Sequence, residues 1–309
     1  MIASSARLRA VLLAMLVAAA VLPVAHGSEE DHVLVLGRIS DDPNAHYRQL
    51  KPLLDYVVPR MADVGIREGR ILMARDRKQM DSYLRRGRVD WVTETAASGM
   101  QLQMGAGAEP LLVTERSGVS RYRTVFFART DSGIASLEDL KGRSVAFQNP
   151  NSTSAYYMPA LTLIERGLPM EILLSPRDRP VADSVGYLFA RSELNISTWV
   201  HKRLVDAGAM SNLDWRSPQR VPDLYRRDMM VFHETPEYPR ALEMVRGDLA
   251  PAIKARLREV LIAAADDPDA SEAMLRFFKT TRFLPLKEED ERSLALVRAG
   301  VKRVGSEIE

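Results

Sequence analysis

A chain of 309 residues without a single cysteine forms neither disulfides nor thiolate metal sites, and its length suggests two domains with ample core. Lys and Arg total 43 against 41 Asp and Glu, but Arg7 and Arg9 precede residue 28 with no acid beside them, so the remainder balances at 41 against 41. A basic, nucleic-acid-binding reading therefore fails, and no nucleic-acid partner is expected.

In chain order, Arg7 and Arg9 lead into a small and apolar run, Val11 to Val24, and then Ala25-His26-Gly27. A basic start, an apolar stretch and small residues at a cleavage site are the parts of a secretory signal peptide. The expectation is a leader over residues 1–27, cleaved near Gly27, and export to the periplasm. The run is short for a bilayer span, and a retained anchor helix is the alternative. No second long apolar run follows, so a soluble mature chain is expected.

His32 to Ile39 reads as a buried strand, Ser40 to Asn44 as a polar loop. Tyr47, Leu50, Leu54, Val57, Val58 and Met61 then share one helical face. Pro52 inside that stretch predicts a helix that begins near it or kinks there. Arg70 to Ala74 reads as a strand, and Leu84 to Thr95 as a helix end, a turn and a strand beginning at Val89-Asp90. About 110 residues on, the scheme returns: strand Arg143 to Gln148, polar loop Asn149 to Thr153, helix Ser154 to Arg166 ending at Gly167. Val200 to Ser211 repeats the second unit, with Val205-Asp206 about 116 residues after Val89-Asp90.

Two motifs recurring in one order describe two homologous α/β lobes whose strand ends open on a common crevice. Tyr122 to Ala128 is the predicted crossing into the second lobe, and Asp228 to His233 the return. The expected fold is thus α/β, two Rossmann-like lobes joined by two hinge strands. Lobe 1 takes residues 28–124 and 230–309, and lobe 2 takes 125–229. Asp248 is placed as the cap of a helix carrying Ile253, Leu257, Val260, Leu261 and Ala264 on one face. A last helix, with Leu294, Val297 and Val301 on one face, is expected to pack on lobe 1.

The strongest chemical candidate is Asn149-Pro150-Asn151-Ser152-Thr153-Ser154, at a strand-to-helix turn. A helix start offers unpaired N–H groups and the positive end of the dipole, which suit a tetrahedral oxyanion. Serine and threonine also cap helices without binding anything, but three hydroxyls in a row exceed that need. Opposite them, Thr93-Glu94-Thr95 is expected at the crevice lip, with Arg75, Arg77 and Lys78 bringing positive charge; an ordinary surface role is the competing reading for each base. His233 is read as a hinge or crevice residue. No Gly-x-Ser-x-Gly elbow surrounds Ser152 or Ser154, and no zinc-protease spacing follows His233-Glu234. No enzyme, cofactor or metal is expected.

Tyr122 to Ile134, Ser136 to Phe147 and Ser152-Thr153-Ser154 resemble the phosphate/phosphite/phosphonate-binding proteins of ABC transporters. Gly37 to Pro43, Gly87 to Thr95 and Pro236-Glu237-Tyr238-Pro239 extend the resemblance over the mature chain. It implies a type II periplasmic binding protein fold, ligand in the cleft, and phosphonate oxygens held by Ser152, Thr153 and Ser154. It implies a permease as partner and a monomer. Ala155 stands where the family usually has glycine, the region of Glu94 replaces a common tyrosine, and Ala209 to Asn212 match no amine-binding carboxylates. A sensor presenting its closed form to a membrane histidine kinase, and more remotely a secreted hydrolase, are the alternatives. If Glu94 faces the Ser-Thr-Ser turn, Glu94→Gln should weaken a protonated or amine-bearing ligand.

Overall fold

The computed structural model describes residues 33–308, and the leader assigned to residues 1–27 lies outside them. The chain runs β1 (Val33–Ile39), α1 (Pro43–Val57), β2 (Glu68–Ala74), α2 (Arg77–Arg85), β3 (Trp91–Glu94), α3 (Ala96–Ala106) and β4 (Glu109–Arg116), then crosses through β5 (Arg121–Tyr122). The second lobe holds β6 (Thr124–Arg129), β7 (Ser144–Phe147), α4 (Met158–Glu165), β8 (Met170–Ile172), β9 (Val185–Phe189) and α5 (Glu193–His201). It continues through β10 (Ala207–Ser211), α6 (Asn212–Arg216), α7 (Asp223–Arg226) and β11 (Met229–Glu234). After β12 (Tyr238–Pro239) come β13 (Leu242–Val245), α8 (Pro251–Ala263), α9 (Ser271–Arg276), β14 (Thr280–Leu284) and α10 (Glu288–Glu307). Among the described residues no helix is long and apolar enough to cross a membrane.

The sheets repeat one plan. Lobe 1 is ordered β14-β4-β13-β3-β1-β2, and lobe 2 β11-β6-β10-β7-β9-β8. In each, three parallel strands (β2-β1-β3 and β9-β7-β10) meet an antiparallel neighbour, β13 or β6. The duplicated Val-Asp pairs do the same job in both. Asp90 Oδ2 accepts from Val35 N at 2.8 Å, and Asp206 Oδ2 accepts from Ser144 N at 2.9 Å. Each carboxylate thereby ties the start of one strand to its parallel neighbour. An arginine faces each: Arg246 Nε lies 2.8 Å from Asp90, and an Arg143 terminal nitrogen 3.3 Å from Asp206.

Four expectations change on contact with the packing. Helix α1 starts at Pro43, capped by the Asp42 side chain on Ala45 N, and passes through Pro52. The cap and the N1 proline fix its start upstream of Pro52. The return to lobe 1 comes later than residue 230, because β11 pairs with β6 in the second sheet and only β12 pairs with β5. Asp248 does not cap α8; its carboxylate holds Arg246, and α8 opens on Ala250 and Pro251.

The last helix does not belong to lobe 1 alone. It packs against α3 of lobe 1 and α4 of lobe 2, and Arg303 reaches the Ile164 carbonyl. Gly300 lets it lie close: a Cβ there would fall 2.3 Å from Leu161 Cδ2. Both residues are buried, so the side chain of Gly300→Val has no room unless Leu161 or the helix moves. Overpacking of this kind costs about 1–3 kcal/mol. A lowered urea midpoint with unchanged circular dichroism is the expected result; an unchanged midpoint would show that α10 is not fitted to lobe 2.

Candidate functional site

The second lobe's wall is built by the loop after β7. Asn149 Oδ1 accepts from Asn151 N, and Ser152 N donates to the Asn149 carbonyl, closing the turn. A π-helical turn, Thr153–Tyr157, then leads into α4, with Ala155 departing from helical geometry at φ −118° and ψ 19°. Ser152 performs the plain capping role, its Oγ accepting from Ala155 N at 3.2 Å. Ser154 gives its carbonyl to Thr124 Oγ1, and its hydroxyl bonds the Tyr122 phenol. Burial raises that phenol to about 12, while Ser154, Arg240 and Arg116 pull the other way.

Thr153 joins the lobes. Its Oγ1 accepts from Ala97 N at 3.0 Å and donates to Thr95 Oγ1 at 3.0 Å. Thr95 is the N-cap position of α3, so the starts of two helices from opposite lobes meet at this threonine pair. Gln101 Nε2 adds a bond to Tyr157 OH at 2.7 Å. Hydroxyls and helix N-termini from both walls converge here, an arrangement suited to negative charge.

The remaining sequence candidates are placed differently. Thr93 is fully buried, its hydroxyl donating to Glu243 and accepting from Arg116. Glu94 is buried beneath the lip, where Oε1 accepts from Ile39 N at 3.2 Å and stitches β3 to β1. Burial raises its pKa, and Arg38 and Arg116 oppose that rise. The methyl group of Ala155 lies in the lobe 2 core with Phe127 and Ile196, and its N–H and carbonyl are taken by Ser152 and Gln148. It is therefore spent on packing, and its extra carbon does not narrow the cleft. Arg77 turns to Asp81 on its own helix, at 2.6 Å, and Arg75 to Asp76. Each has a carboxylate within one helical turn, and neither joins the threonine pair. His233, on β11, sets its ring edge-on against Phe126.

The cations near the cleft are ones the sequence reading passed over. Arg38, next to last in β1, donates to the Thr93 carbonyl at 3.1 Å, and Arg116, last in β4, reaches Thr93 Oγ1 at 3.3 Å. Arg240, after β12, donates to the Arg116 carbonyl at 2.7 Å. All three heads rest on neutral oxygens, and among the described residues none is in an ion pair. Burial, with Arg38 and Arg240 nearby, lowers Arg116 to about 10, and Glu243 and Glu94 raise it. The only sequence hint was an arginine at the carboxyl end of each strand, where the crevice lies.

A separate cavity of about 870 Å³ opens at the other end of the lobe 1 strands, lined by Val33, Ile71, Arg86, Arg88 and Arg246 among others. The two ends of the seven-residue strand β1 lie roughly 20 Å apart. Its Arg246 is already committed to Asp90 and Asp248.

Comparison with known proteins gives a consistent picture. The family model described as "ABC transporter, phosphonate, periplasmic substrate-binding protein" matches residues 38–290. The structures of XAC2383 from Xanthomonas citri, one bound to chloride ion and one to ATP, are 53% and 52% identical to this chain. Both cover 90% of this chain and 100% of theirs, with TM-scores of 0.85. The phosphate-import protein PhnD of Mycolicibacterium smegmatis is 26% identical over 141 residues, which is 41% of this chain and 42% of that protein. The match therefore spans less than half the length of that curated relative. PhnD1 from Prochlorococcus marinus, in complex with methylphosphonate, shares the fold at 17% identity and a TM-score of 0.64, over 89% of this chain and 99% of that one.

Proposed function

The chain belongs to the periplasmic phosphonate-binding family of ABC transporter substrate-binding proteins, and from that premise we propose that it captures a small oxyanion between its lobes for a membrane importer. The observation that carries this reading is the meeting of Thr153 with Thr95 and Ala97 across the cleft, beside Ser154 and three arginines without carboxylate partners among the described residues. The two X. citri structures hold chloride and ATP, which have only negative charge in common. Phosphate- and phosphonate-like anions fit the same donors. The partners of the hydroxyls support capture without chemistry. Ser152 serves Ala155 N and Ser154 serves Tyr122, and neither is a base that would activate a nucleophile.

Selection works by population. An anion that contacts both walls stabilises the lobe-closed form, which the permease then reads. A thermal-shift panel of phosphate, methylphosphonate, ATP and chloride tests the reading. A ligand at 100 times its Kd adds about 2.7 kcal/mol of stability. If no anion in the panel raises the melting temperature at millimolar concentration, oxyanion capture is wrong.

Glu94 gives a further prediction, opposite in sign to the one drawn from sequence. When ionised, its carboxylate is a negative charge beneath the cleft floor that Arg38 and Arg116 offset. Glu94→Gln keeps an oxygen for Ile39 N and removes the charge. Phosphate affinity is expected to rise a few-fold in calorimetry. A tenfold loss would mean that Glu94 itself accepts a bond from the ligand.

A further inference from the structure

The half-buried ring of Phe278 has two cations over it: the guanidinium carbons of Arg38 and Arg116 each sit 4.5 Å from its centroid. Like charges so placed repel, and burial strengthens the repulsion. Their hydrogen bonds go to Thr93 alone, through its carbonyl and its hydroxyl, and the buried Nε of each makes no hydrogen bond among the described residues. Glu94 and Glu243 act on Arg116 through space, but neither forms an ion pair with Arg38 or Arg116. The backbone is also unusual there. Phe278 and Lys279 both have left-handed φ, 54° and 57°, which a bulky aromatic residue rarely adopts. Strain that persists in a fold is a pointer to use.

We propose that the Arg38–Phe278–Arg116 cluster is a second anion subsite on the lobe 1 wall, and that the cognate ligand carries at least two linked phosphoryl-type groups. One group sits at the Ser152–Ser154 turn and the other on the guanidiniums; this rests on the cleft reading above. Placement supports the pairing. Thr93, which both arginines touch, lies two residues before Thr95, the residue that meets Thr153. The hydroxyl turn on one wall and the two guanidiniums on the other form two donor sets, so each group of a linked pair has partners of its own. Each guanidinium lies over the ring within cation–π reach, and together they offer charge-assisted donors of the kind that hold phosphoryl oxygens.

The test is calorimetric titration with inorganic phosphate and inorganic pyrophosphate. Wild type is expected to bind pyrophosphate at least tenfold tighter than phosphate. In Arg38→Gln and in Arg116→Gln the ratio of the two affinities should fall about tenfold or more. Ser154→Ala should weaken both ligands alike. Phe278→Leu keeps both charges and loses the ring; it should also reduce the ratio, which covers the case in which an arginine variant does not fold. Equal affinity of wild type for both ligands, or a ratio unchanged in the folded variants, overturns the second subsite and leaves the cleft reading standing. Failure of wild type to bind either ligand would instead remove the cleft reading on which the subsite depends.

Discussion

Replacing Glu243 by alanine is expected to destabilise the protein by about 3–5 kcal/mol, the range for removing one partner from a buried charged network. Glu243 is fully buried in the middle of the lobe 1 sheet. Oε2 accepts from Trp91 Nε1 at 2.6 Å, and Oε1 accepts from Thr114 Oγ1 at 2.6 Å and Thr93 Oγ1 at 3.0 Å. Alanine leaves three donors without an acceptor and takes a negative charge away from Arg116. Glutamine behaves differently. Its oxygen can serve Trp91, and its amide can donate to the two hydroxyls, which also accept.

Burial pushes the Glu243 carboxyl up to about 7 from its ordinary 4.5, against the pull of Thr114, Arg116, Trp91 and Thr93. The folded state therefore holds this proton more tightly than the unfolded state does. That contribution is complete below pH 4.5 and is lost as the pH rises through 7. Its size is about 3 kcal/mol, at about 1.4 kcal/mol per pH unit. Urea melts of wild type against Glu243→Gln should thus differ little at pH 4.5 and favour the glutamine variant by up to that amount at pH 8. Parallel pH profiles would show that Glu243 is not a raised acid.

The second large effect concerns Thr153 and Ser154. Thr153→Val removes the one hydroxyl shared by Ala97 N and Thr95 Oγ1, leaving a buried backbone donor on the opposite lobe unpaired. A buried unsatisfied donor costs about 1–3 kcal/mol, and here the cost falls on the closed form. With Ser154→Ala a hydrogen bond to the anion goes as well, about 1.5–3 kcal/mol for a charged partner. The double variant should lose two to four powers of ten in phosphate affinity. Equilibrium dialysis measures this directly, and a loss of less than fivefold would take the turn out of the site.

These effects divide along the line between what local sequence encodes and what packing adds. The repeat was legible because its signal is local: an apolar run, a polar turn, a helical face, and a Val-Asp pair in each lobe. Asp90 and Asp206 then turn out to make matching bonds. The hydroxyl turn was legible for the same reason, since three consecutive hydroxyls sit where a helix must begin. The lobe 1 cations were not. Arg38 and Arg116 owe their place to Phe278, far away in the chain, and no spacing rule connects a strand end to the ring that orients it. Arg77 follows the end of a strand, which suggests the lip, but its guanidinium turns to Asp81 one turn along its own helix. Glu94 sits at a strand end, and that position alone does not say which backbone group its carboxylate will find.

A crystal structure of the protein grown with its tightest-binding anion tests the central claim most directly. The anion should lie between the lobes, within hydrogen-bond distance of the Ser152–Ser154 turn on one side and of lobe 1 donors around Thr95 on the other. An anion held by one lobe alone, for instance in the cavity beside Arg86 and Arg88, would contradict capture by the interlobe cleft.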